Sequence, residues 1–230
     1  MIQRRKDYSK KAPSRDAHKV YIVCEGKGTE PAYFSFFDLV SSNLEVITIP
    51  PSDGTDPLKL LANAKEVFLS DRRRFSIDYM HGDTVWFVID TDTWEKEGKI
   101  QPLRDYCSQK NASIKSEYDE VKPYKAWNVA QSNPCFEIWL YYHFYNEAPD
   151  VETVKQFATF KQFVNESVAG GFDFNKHPAF LEEAIKNAVG NFRRDEQEKL
   201  ALFATEVEIL GSEILKFTKS ELDKLKNKLG

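Results

Sequence analysis

Residues 84–94 read TVWFVIDTDTW: a run of apolar, β-preferring side chains ends in two aspartates one residue apart. A strand with the composition of Val85, Trp86, Phe87, Val88 and Ile89 is buried on both faces. Two like charges at the end of such a strand are costly unless a cation lies between them. Glu25 raises the same question, because it follows the apolar run KVYIVC (19–24) and opens the turn EGKGTE, which also carries Glu30. Oxygen donors in these places, with no paired histidines or cysteines, suit Mg²⁺ or Mn²⁺ and not zinc. Asp90 and Asp92 stand at i and i+2, a spacing that sends both to one side of an extended segment. Neighbouring strands lie roughly 4.8 Å apart, so Glu25 and the aspartate pair can reach one ion if their strands are adjacent. The plainer reading is that Asp and Gly are ordinary turn residues at strand ends.

A third acidic station lies in SNPCFEIWLYYHF (132–144). Asn133 is suited to cap a helix and Pro134 to be its first residue, which predicts a helix over 134–145. Glu137 then falls in the first turns of a helix that is apolar nearly all round. Two explanations stand side by side. A helix N-terminus favours an acidic residue by about 0.3–1 kcal/mol, and a buried carboxylate can also be held by the same cation as the other three.

The elements that must position these residues alternate. Strands are expected at 19–24, 44–49, 84–90 and 125–131, with helices from Glu30, over 56–70, around Ile100 to Gln109, and at 134–145. Alternation of this kind implies βαβ units and a mainly parallel sheet covered on both faces. In such sheets ligands gather beyond the carboxyl ends of the strands. From about residue 150 only helical patterns appear: QFATFKQFV, PAFLEEAIKNAV and Glu198 to Leu229. The expected organisation is a basic flexible arm over 1–18, an α/β core over 19–148, and a helical C-terminal part over 149–230 packed on that core.

The 230 residues, 41% hydrophobic and 13% aromatic, are enough for one packed core. No apolar run is long enough for a membrane span, and the basic N-terminus lacks the apolar stretch of a secretory signal. Cys24, Cys107 and Cys135 are few and far apart, as expected of reduced thiols in a cytoplasmic protein. His81, His143 and His177 are scattered, and His143 on its apolar helix reads as a hydrogen-bonded core residue. Formal net charge is −4, unevenly spread. Residues 1–19 hold seven basic side chains against two acidic ones, so the remainder carries a net −9. The arm is either a nucleic-acid contact or a solvated tail. Arg72, Arg73 and Arg74 offer the same choice between a phosphate-backbone contact and a solvated helix end.

C-E-G-K-G-T-E with its following aromatic helix, V-I-D-T-D, and S-N-P-C-F-E-I-W-L-Y-Y-H-F together resemble the three signature blocks of RloB-like proteins. These belong to the broader Toprim group, the magnesium-binding domain shared by topoisomerases, DnaG-type primases and OLD-family nucleases. The resemblance runs from about Lys19 to Phe144, with T-E-V-E-I-L (205–210) similar to a further family block. It implies a Toprim-like, mainly parallel α/β sheet flanked by helices, with a helical C-terminal extension. Glu25 matches the Toprim glutamate, as metal ligand or general acid/base. Asp90 and Asp92 match the metal-binding pair, and Glu30 a second acidic position that holds metal in OLD-like nucleases. Asn133 and Glu137 match the later block. Lys176, in F-D-F-N-K, matches the basic group that some OLD-like nucleases direct at the transition state. The turn departs from the family pattern at Lys27-Gly28, where an acidic-then-basic pair is typical.

The function this implies is a Mg²⁺- or Mn²⁺-dependent nuclease of antiphage defence, abortive infection included. It would be cytoplasmic, cut DNA or RNA, and work with a separate RloA-like, ABC-type ATPase; a homodimer is a possible assembly. The chain has no G-x-x-x-x-G-K-[ST], so the ATPase must be another protein. Two alternatives come from other classes. D-T-D-T resembles the opening of haloacid-dehalogenase phosphatases, with Asp90 as nucleophile, but Trp94 stands at the fifth position and Glu25 is left without a role. The other is a non-catalytic, Toprim-like binding subunit whose metal organises a partner interface.

Overall fold

The computed structural model describes residues 12–117 and 124–229. Arg4, Arg5, Lys6, Lys10 and Lys11 of the expected arm lie outside the described residues. The arm's inner end is held: Ser14 N donates to Ser42 O at 2.7 Å, and Ala17 is buried.

In chain order the elements begin with β1 (His18–Cys24) and α1 (Thr29–Phe34), the latter continuing in a 3-10 turn, Ser35–Phe37. There follow β2 (Leu44–Ile49), α2 (Pro57–Leu69), β3 (Thr84–Asp90), α3 (Ile100–Glu117) and β4 (Trp127–Ser132). After them come α4 (Glu137–Tyr141), α5 (Val151–Val154), α6 (Phe160–Ser167), α7 (Leu181–Asn191) and α8 (Val207–Leu229). The described strands form one four-stranded parallel sheet in the order β2-β1-β3-β4.

Alternation along the strands makes two cores. Val20, Ile22, Cys24, Trp86 and Val88 face α1, α4, α7 and α8, while Tyr21, Val23, Val85, Phe87 and Ile89 face α2 and α3. Helices therefore cover both faces. The five buried apolar residues Val85–Ile89 contribute about 2 kcal/mol each, enough to carry an unfavourable aspartate at the strand's end. Asp56 starts α2 by accepting from Leu58 N and Lys59 N, with Pro57 at the first helical position.

The strand order fixes where a ligand would sit. From β1 the chain crosses to β2 on one side through α1; from β3 it crosses to β4 on the other side through α3. The loops leaving β1 and β3 thus part to opposite faces and open a crevice between the two strand ends.

Several elements differ from expectation. The helix expected over 134–145 is regular only over Glu137–Tyr141. The Asn133–Pro134 peptide is cis, and the residue at the N-cap of α4 is Phe136. Asn133 caps nothing, because it is bound elsewhere. Its Nδ2 donates to Leu200 O at 2.7 Å, its backbone N to Ala204 O at 2.9 Å, and its carbonyl accepts from Phe203 N at 2.8 Å. The segment expected to be helical from Glu198 is irregular until α8 begins at Val207: it turns at 202–203, Glu198 and Phe203 take positive φ, and single bridges tie Leu200 to Arg194 and Thr205 to Ser132 at the end of β4. α3 runs on to Glu117, and β4 covers 127–132 instead of 125–131.

Candidate functional site

Because β1 and β3 are neighbours in register, with Cys24 opposite Val88, Glu25 lies beside the end of β3. Its carboxylate ties the two strand ends together: Oε2 accepts from Asp90 N at 2.9 Å and Oε1 from Trp94 Nε1 at 2.8 Å. Glu30, in the first turn of α1, folds back so that Oε1 accepts from Gly26 N at 2.9 Å. That closure requires glycine, since a Cβ at position 26 would overlap the Glu30 carboxylate. Asp90 Oδ1 accepts from Phe136 N at 2.8 Å. Asp90 thus performs at the start of α4 the capping expected of Asn133.

Asp92 is not on an extended segment. β3 ends at Asp90, and Asp92 takes φ 30, in the left-handed region. The i, i+2 argument fails there because the chain has already turned, yet the turn returns Asp92 to the same crevice. Glu25, Glu30, Asp90 and Asp92 all line one cleft of about 550 Å³, with Gly26, Lys27, Gly28, Thr55, Cys135 and Lys161 among the other lining residues.

Glu137 opens α4 and is 7% exposed. Its Oε1 lies 3.2 Å from Lys161 Nζ, and its Oε2 is buried without a hydrogen-bond partner. Burial pushes the Glu25 carboxyl up to about 7; hydrogen bonds from Trp94 and Asp90 oppose the rise, and Glu30 and Asp92 reinforce it. Asp90 is held well above the usual carboxylate range, first by burial and then by Glu25, Glu30 and Glu137. Glu30 is raised by burial too, with Glu137 adding and Lys161 opposing. Burial depresses the Lys161 ammonium, but Glu137 and then Asp90 more than compensate and leave it raised.

The donors present are of the type a divalent cation would take. All the acidic donors are carboxylates, their charges oppose one another, and one buried oxygen of Glu137 has no partner. Among the described residues, however, no three His, Cys, Asp or Glu side chains are already arranged to hold a metal ion. Bound metal would therefore have to draw the carboxylates inward from the hydrogen bonds they now make.

Two other expected residues lie elsewhere. Lys176 is paired with Asp173 at 3.3 Å and is not among the cleft's lining residues. The lysine paired with the acidic cluster is Lys161, which sequence reasoning missed because nothing local links the first turn of α6 to Glu137. Arg72, Arg73 and Arg74 are exposed beyond the end of α2. Thr55, just before α2, lines the cleft, whereas these arginines follow the other end of that 13-residue helix and are not among the cleft's lining residues.

Trp94, noticed only as a departure from a phosphatase pattern, is a positioning partner of Glu25. Glu206, in the T-E-V-E-I-L block, has a structural role that its sequence context does not signal. Its two oxygens accept from Arg104 at 2.6 Å and Arg194 at 2.7 Å, and Oε2 also accepts from Gln131 N. Gln131 Nε2 donates to Thr91 Oγ1 at 2.7 Å, so this network braces the turn between Asp90 and Asp92. His143 is the core residue expected, with Nε2 3.1 Å from Tyr33 Oη and Nδ1 3.0 Å from Trp139 O. Cys24, Cys107 and Cys135 are free thiols.

An open, doubly wound parallel sheet with carboxylates gathered where its crossovers diverge defines an α/β protein with an acidic site at the switch point. The particular family follows from comparison: the RloB-like protein model matches residues 20–214, and the chain belongs to that family. No curated protein and no solved structure matches it. No helix among the described residues is long and apolar enough to cross a membrane.

Proposed function

We propose that the chain is a divalent-metal-dependent nuclease of antiphage defence, hydrolysing DNA or RNA together with a separate ABC-type ATPase. The observation that carries this reading is the meeting of Glu25, Glu30, Asp90 and Asp92 in one cleft, with Glu137 behind it holding an unpartnered oxygen. Carboxylates so placed are suited to Mg²⁺ or Mn²⁺, which when bound supplies Lewis acidity and a lowered pKa for attacking water.

Asp90 and Asp92 would hold the ion. Glu25, fixed by Trp94 and the Asp90 amide, would hold a second ion or take the proton of the attacking water. Lys161, tethered by Glu137, would face charge developing on the scissile phosphate. Glu206 with its two arginines would keep the 90–92 turn in place.

The test uses purified full-length protein with Mg²⁺ or Mn²⁺, alone and with the ATPase, on end-labelled DNA and RNA. Cleavage is expected, with loss in the Glu25→Gln/Asp90→Asn double variant. Lys161→Met should cost about a hundredfold, while Lys176→Met leaves the rate within a few-fold. If the double variant cuts as fast as the native chain, the site assignment is wrong. Metal binding with no cleavage in any combination would favour a non-catalytic binding subunit.

A further inference from the structure

The start of α6 also lines the cleft, and it carries more than a lysine. Thr159 caps the helix, its Oγ1 accepting from Gln162 N at 3.1 Å. The first amides of α6, those of Phe160 and Lys161, have no acceptor within the helix. Both residues line the cleft with Thr159. Lys161 is held on this wall by Glu137, whose Oε1 lies 3.2 Å from Nζ.

Phe160 is the unexpected member. Its ring packs nearly parallel to Phe203, at 5.5 Å between centroids and 23° between planes, and tilted against Phe163 at 5.7 Å. Those contacts explain a buried aromatic. Phe160 is nonetheless only partly buried, and it is a lining residue of a cleft whose other lining residues include four carboxylates and two lysines. An aromatic surface beside a cation and free helix amides is what recognition of a nucleotide uses: a flat face for the base and donors for the phosphate.

We propose that this wall docks an unpaired nucleotide. The base stacks on the cleft side of Phe160, continuing the Phe203–Phe160 pile, and a backbone phosphate lies against Lys161 and the first amides of α6. The proposal rests on the nuclease reading and adds its substrate class, a strand that is single or locally melted where it enters the cleft. A base inside a duplex already has both faces covered by its neighbours, so duplex substrate cannot use Phe160 without unstacking.

The test titrates full-length protein, with Ca²⁺ in place of Mg²⁺, into oligonucleotides carrying 2-aminopurine. Single strands of DNA and of RNA form separate arms, each compared with the same sequence in a duplex. Binding is expected to quench the probe and to be about tenfold tighter for single strand than duplex, the equivalent of roughly 1.4 kcal/mol from one stacked base. Phe160→Leu keeps apolar packing on Phe203 and Phe163 but has no aromatic face. It should lose the quenching and about tenfold in single-strand affinity, with Tm lowered by only a few degrees, whereas Phe160→Trp should retain quenching and affinity.

Equal binding of duplex and single strand, binding without quenching, or Phe160→Leu indistinguishable from native would overturn the proposal. If Phe160→Leu fails to fold, loss of quenching in a folded Phe160→Trp decides against it and retention decides for it. Because the readout needs no turnover, the two readings separate. A chain that binds and quenches but cuts nothing keeps this site and loses the nuclease. One that cuts duplex and single strand alike, without quenching, does the reverse.

Discussion

Replacing Glu25 by Gln in the metal-free protein should change how folding stability depends on pH. Burial raises the Glu25 carboxyl from 4.5 to about 7. Above 4.5 the unfolded chain gives up this proton while the folded chain keeps it, so stability falls as pH rises until the folded group also ionises near 7. That shift corresponds to about 3 kcal/mol lost between pH 5 and pH 8, or about 10 °C in Tm for a chain of this size. The native curve alone does not display it, because His143 acts in the opposite sense. Burial lowers that imidazole from 6.5 to about 3, so the unfolded chain takes up a proton that the folded one refuses, and stability declines below pH 6.5. Glu208, raised to about 7 by burial, runs with Glu25.

The diagnostic is therefore the difference between variant and native protein, measured by urea unfolding in chelator at pH 5 and pH 8. Glu25→Gln carries a pH-independent cost of about 1–3 kcal/mol, since glutamine has one acceptor oxygen for the two donors, Trp94 and the Asp90 amide. Against that constant offset, the variant should gain about 3 kcal/mol relative to native between the two pH values. Glu208→Gln should flatten the curve similarly. Only Glu25→Gln should also abolish stabilisation by Mg²⁺ or Mn²⁺, about 2.7 kcal/mol at a hundredfold excess over Kd. A variant-minus-native difference that is the same at pH 5 and pH 8 would refute the account of Glu25 as a buried carboxylate destabilised by ionisation.

Gly26→Ala places a methyl group on the Glu30 carboxylate, so Glu30 must leave its bond to the Gly26 amide. Titration calorimetry should show metal affinity reduced by about tenfold or more, at the weaker end of what loss of an outer-shell partner costs, with the far-ultraviolet spectrum unchanged. Glu206→Ala leaves Arg104 and Arg194 without their shared carboxylate and Gln131 N without its side-chain acceptor. Both arginines are partly exposed and can rehydrate, which puts the loss at the lower end for a broken buried pair, about 3 kcal/mol by urea unfolding.

The apolar runs of β1 and β3 and the helical spacing of 57–69 were legible in sequence because they are local: which faces are buried follows from period and composition alone. So were Glu25 at the end of β1 and Asp90 at the end of β3, since a carboxylate after a buried strand has few structural reasons to be there. The alternation of elements gave the parallel α/β class for the same reason. What joins these pieces has no local signature. The order β2-β1-β3-β4 makes Glu25 and Asp90 neighbours 65 residues apart in sequence, and it brings Glu206 to a β4 residue 75 positions away. Asn133 had the right residue type to cap a helix, but hydrogen bonds to 200–204 claimed it, and Asp90 took the role. Lys161 and Lys176 are equally plausible cations in sequence; only packing of α6 against α4 sets one beside Glu137 and leaves the other with Asp173. Side-chain choice among competing partners is decided by tertiary proximity, and a chain read one window at a time contains no record of it.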